Sequence, residues 1–111
     1  AETLPPLGEQ HAFLDAAKHH DFPVVRKRLL ECPALVNVQP AGRWSALHQF
    51  AQSGNYVAVL WLLNHGASTT ARTADGLTPL DVASPSVYDI ILSHTLVCQD
   101  RRQSSRVAHD Q

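Results

Sequence analysis

The sequence predicts an all-α solenoid of three helix-turn-helix units, each hiding its apolar side against the next. Three observations predict it. Displaced by 33 residues the chain matches itself: Leu14, Leu47 and Leu80 share a phase, as do Asp15, His48 and Asp81, and Leu29, Leu30 and Ala34 fall on Leu62, Leu63 and Ala67. Val59, Leu62 and Leu63 follow the i, i+3, i+4 spacing that lays one apolar stripe along a helix. Turn-forming residues interrupt the apolar runs at Gly54-Asn55, Gly66 and Asp75-Gly76. A fixed period of this size marks units that cannot bury their apolar faces alone.

Residues 1–9 are read as an extended lead, because Pro5 and Pro6 oppose helix until about Gly8. The first unit spans about 10–37, and its Arg26-Lys27-Arg28 stretch suits the solvated face of a terminal unit. The match needs no gap, and it sets Asp21 on Gly54 and Gly42 on Asp75. The middle unit, about 38–70, is the clearest. Ser45 is placed to cap a first helix, Gly54-Asn55 breaks it, and Gly66 follows the last turn of the second. In the third unit, about 71–96, Asp75-Gly76 turns the chain, Thr78 caps and Pro79 takes the first helical position. This unit is shortened after Ser84-Pro85, so its second helix is expected from near Ser86. The polar stretch 97–111 is read as a frayed tail, and Arg101, Arg102 and Arg106 beside Ser104 and Ser105 as solvated charges in preference to a targeting or phosphorylation element.

The 111 residues suit one domain, and 44% apolar with 6% aromatic content allows a core built from aliphatic side chains. A net charge of −1 lacks the basic excess of nucleic-acid or membrane-surface binders. Cys32 and Cys98 match no metal or redox spacing and are read as reduced thiols. No apolar run approaches the roughly 20 residues of a membrane span, and the first residues have neither the basic start nor the apolar stretch of a signal peptide. An intracellular setting, cytoplasm or nucleus, is expected. His19 and His20 are adjacent and point about 100° apart on a helix, so they do not share an ion. His11, His48, His65, His94 and His109 have no ligand-spaced companions, and no nucleophile motif or phosphate-cradling loop occurs. Neither a metal, a cofactor nor an enzyme activity is expected.

The segments GRWSALHQFAQSGN and DGLTPLDVA resemble the signature of the ankyrin-repeat family, a D-G-x-T-P-L-H-x-A-A core followed by a G-[HN] turn, a Leu-rich helix and G-A-D. The resemblance covers about residues 10–95. It departs at Ser45-Ala46 (usually Thr-Pro), at Phe50 (usually a small alanine), at Asp81 (usually His) and through the first unit, which lacks the Thr-Pro motif. It implies short β-hairpin-like fingers around residues 39–44 and 72–77, and a concave groove, lined by the fingers and the first helices, that binds a protein or peptide without catalysis. On that implication the binding candidates are Arg43, Trp44, Arg72 and Leu77 at the fingers, extended by Gln49, Gln52 and Ser53. An exposed Trp beside an Arg has the composition of a binding hot spot; the alternative is that Trp44 folds back over its own turn.

His48 occupies the family's histidine position, which implies a structural role. Asp15 and Asp81, in its phase, are read as inter-unit hydrogen-bonding groups. Trp61 falls on a core leucine position and Phe50 is expected to fill space between units. Leu60 stands at a usually polar position, covered by the C-terminal segment or part of a convex patch, and Asn37 is read as an ordinary turn residue in preference to a hydroxylation site. The domain is expected to act as a monomeric scaffolding or targeting part of a larger protein. Two other readings are a methyl-lysine or histone-tail reader, which needs two or three rings around one cation, and the substrate-recruiting part of an enzyme whose catalytic domain lies outside this chain.

Overall fold

A computed structural model of the chain describes residues 4–96. The Arg/Ser tail, Cys98 and His109 lie outside the described residues. Six helices follow one another: α1 (Leu7–Lys18), α2 (Phe22–Glu31), α3 (Ala46–Ser53), α4 (Tyr56–Asn64), the short α5 (Pro79–Val82) and α6 (residues 85–96). Single 3-10 turns at Pro33–Asn37 and Pro40–Gly42 link α2 to α3. Among the described residues there is no strand, and no helix is long and apolar enough to cross a membrane.

The caps set these helix starts. Ser45 accepts from the His48 amide at the start of α3, Asn55 accepts from the Ala58 amide at α4, and Thr78 accepts from the Asp81 amide at α5. The α3–α4 turn needs Gly54, whose φ is +75°; a Cβ there would also meet the Ser86 hydroxyl at 2.8 Å. In the first unit His20 adopts the same left-handed conformation, φ 61°, and Asp21 precedes α2 as Asn55 precedes α4. Position 20, and not Asp21, is therefore the counterpart of Gly54, so the local offset at this turn is one residue longer than the sequence match. Helix α1 also starts earlier than the expected lead: the Pro6 carbonyl accepts from the amides of Glu9 and Gln10, so Pro6 caps α1 and Leu7 is already helical. Proline is tolerated there because no turn precedes it.

The first helices stack in the order α1, α3, α5, and α2 and α4 pack behind their own partners. One core runs through the stack, built from Phe13, Leu14 and Ala17, Val25 and Leu29, Leu47, Phe50 and Ala51, Ala58, Val59, Leu62 and Leu63, then Val87 and Ile91. Leu14 and Leu47 are fully buried; Leu80, in the same phase, is half-buried against that core because no described helix covers the far side of the last unit. Phe50 fills the space between units, with its ring edge-on to Phe22 at 5.7 Å. Trp61 departs from its expected core position. It is half-buried at the core's rim, its indole stacked on His65 at 3.8 Å and edge-on to Phe22 at 5.8 Å. Leu60 is 39% exposed beside Tyr56 and Val57, an apolar patch on the outer face of α4.

Candidate groove and finger site

The two fingers are tight turns tied to each other. Ala41 and Gly42 both have positive φ, and the Gly42 carbonyl accepts from the Ala74 amide at 2.9 Å. The approach is so close that a Cβ on Gly42 would lie 2.7 Å from the Ala74 methyl. In the second finger the Thr73 amide donates to the Leu77 carbonyl at 3.0 Å, and the Thr73 hydroxyl accepts from the Asp75 and Leu77 amides. The Gln39 amide group bridges the fingers by donating to the Arg72 carbonyl at 2.8 Å.

His48 anchors this arrangement. Its Nε2 donates to the Leu77 carbonyl at 2.8 Å, and its Nδ1 accepts from the Ser45 hydroxyl at 2.8 Å and the Ser45 amide at 3.2 Å. Burial lowers its pKa, outweighing the opposing pull of the Leu77 and Ala71 carbonyls and the Asp81 charge. The neutral ring therefore ties the middle unit's cap to the third unit's finger. Asp81 accepts from the Thr78 amide at 2.9 Å, and its hydrogen bonds with the Thr78 backbone and hydroxyl hold its pKa below the usual value. Asp15, the other carboxylate in phase with His48, points to Arg43. Neither carboxylate hydrogen-bonds the His48 ring, and among the described residues no three His, Cys, Asp or Glu side chains gather as metal ligands.

Arg43 does not project from its finger. Its guanidinium turns back to α1, donating to Asp15 at 2.9 Å and to His11 Nδ1 at 3.0 Å. Beside it Trp44 is half-buried, its ring 6.0 Å from that of His48. Arg43, Trp44, Gln49 and Gln52 line one open cleft of about 380 Å³, and Lys18 completes it. Three candidates stand apart. The Ser53 hydroxyl donates to the Phe50 carbonyl, Arg72 donates to the Gly76 carbonyl, and the Leu77 carbonyl serves His48. The rings of Phe22, Phe50 and Trp61 form a separate cluster, and the ring paired with Trp44 is His48, which is already fully engaged.

Lys18 escaped the sequence reading. The longer offset found at the first turn places it on Gln52, the one signal that would have flagged it. Asn37 is more than an ordinary turn residue: it donates to the Gly66 carbonyl at 3.1 Å and accepts from the Ser68 amide at 2.8 Å, clasping the first unit to the second.

A family model described as ankyrin repeats in three copies matches residues 13–98. The chain is 31% identical over 91 residues to a transient receptor potential cation channel subfamily A member 1 homolog of Caenorhabditis elegans, a match covering 82% of the chain and 8% of that protein. It is 35% identical over 77 residues to the 2-5A-dependent ribonuclease of Homo sapiens, covering 68% of the chain and 10% of the ribonuclease. The chain thus spans a tenth or less of the length of these curated relatives.

Proposed function

The chain belongs to the ankyrin-repeat family, a fold of protein-interaction modules, and on that premise we propose that the cleft between α1, α3 and the first finger grips a segment of a protein partner without catalysis. The observation that carries this reading is the convergence of Lys18, Arg43, Trp44, Gln49 and Gln52 on one cleft. A half-buried indole offers apolar area with few rotors to freeze, and the glutamine amides can hydrogen-bond a partner's backbone. Arg43, held by Asp15 and His11, acts as a fixed wall, so little order must be gained on binding. In a larger protein such a module scaffolds or targets, in the cytoplasm or nucleus. A recruiting role within an enzyme is a second reading, favoured by the likeness to a ribonuclease.

The test is affinity capture of interacting proteins with the wild type, Trp44→Ala on the cleft and Val57→Ser on the outer face. Trp44→Ala is expected to weaken the specific partners about 30-fold, the loss typical of a hot-spot aromatic, and Val57→Ser to keep them. If Trp44→Ala, shown to be folded by circular dichroism, captures the same proteins with unchanged affinity, the cleft is not the binding surface.

A further inference from the structure

The charges around the cleft narrow the chemistry of what it takes. Two cations line it, Lys18 and Arg43. Arg43 is neutralised by Asp15 at 2.9 Å, the one ion pair among the described residues. Asp81, on the neighbouring first helix, is turned to the Thr78 amide that it caps. Lys18 is exposed in the last turn of α1 and meets no carboxylate among the described residues. The cleft therefore presents one uncompensated positive charge beside an indole and two neutral amides.

We propose that the cleft is selective for an acidic peptide segment, in which an Asp or Glu carboxylate pairs with Lys18 and a neighbouring apolar side chain lies against Trp44. The inference rests on the cleft being the partner surface and adds the partner's chemistry. In an extended segment residues i and i+2 face the same way, so the acid and the apolar side chain stand two positions apart. Gln49 and Gln52 then serve the peptide groups between them. The residues lining the cleft include no carboxylate, so a basic segment would bring a second cation to Lys18 and repulsion adds to the selectivity.

The experiment pans a random peptide display library against the full chain, against Lys18→Glu and against Trp44→Ala, with circular dichroism confirming that each is folded. The wild type is expected to enrich peptides with Asp or Glu two positions from a large apolar residue. Lys18→Glu is expected to enrich Lys or Arg at that position, and Lys18→Gln to bind the wild-type peptides about 3- to 5-fold more weakly, as an exposed ion pair implies. If the enriched peptides need Trp44 yet show no acidic preference, or Lys18→Glu selects the same ones, the charge inference is overturned and the cleft reading stands. If Trp44→Ala binds the enriched peptides undiminished, the cleft reading falls and takes the inference with it. Absence of enrichment on the wild type rejects both for short linear segments.

Discussion

His48 is fully buried, with both ring nitrogens engaged, and it is held neutral. In the unfolded chain its ring titrates near the ordinary value of 6.5; in the fold burial lowers that value. As pH falls below 6.5 the unfolded chain takes up the proton first, so stability declines until the folded pKa is passed. Above 6.5 the contribution is complete and level. Asp81 acts in the same direction further into acid: its contribution is present above 3.8 and fades as pH falls through its lowered folded value. Urea midpoints measured from about pH 8 to about pH 5 are expected to drop on the acid side for the wild type. His48→Gln should be less stable throughout and flatter across that window. A wild-type midpoint that does not move there would contradict the neutral, buried assignment.

Between elements, the repeat is held by polar ties that join residues about one period apart. Asn37 clasps Gly66 and Ser68, Gln39 reaches Arg72, Ser84 donates from its amide to Ala51, and Ser86 donates from its hydroxyl to Gly54. The first finger is a turn without strands, because Ala41 and Gly42 in sequence have left-handed backbones that break an extended run. Asn37→Ala removes a donor and an acceptor together and is expected to destabilise by about 1 kcal/mol, modest because the bonds are exposed. Asn37→Asp, which keeps the acceptor for Ser68, should fall between the two in chemical denaturation. Equal stability of all three would show that the clasp contributes nothing.

Across the stack, Leu14 and Leu47 are fully buried and the coverage falls off at Leu80 in the last unit. Phe50 sits between the first two units with no exposure, whereas Leu80 is half-covered at the end. In a nearly one-dimensional array each unit is stabilised by its neighbours, so a cavity at an inner interface weakens two units at once. Phe50→Ala is expected to cost about 3–5 kcal/mol, and Leu80→Ala clearly less, in urea unfolding followed by circular dichroism. Equal losses would mean that the last unit is covered as fully as the middle one.

The order of the helices, their caps at Ser45 and Thr78, the turn at Gly54 and the burial of Leu14, Leu47 and Phe50 could all be read from the sequence. Each depends on spacing along the chain or on the chemistry of a few adjacent residues. By local pattern Arg43 is a free tip, Lys18 carries no mark, Asn37 is a plain turn and Trp61 belongs to the interior. Arg43 and Asn37 are placed by partners about thirty residues away, Asp15 and Ser68, and Trp61 by the rings of Phe22 and His65. A one-residue change of offset at a turn is enough to exchange such partners. Stacking geometry alone assigns them, because local pattern sets which face a side chain occupies and only the neighbouring unit sets what it meets there.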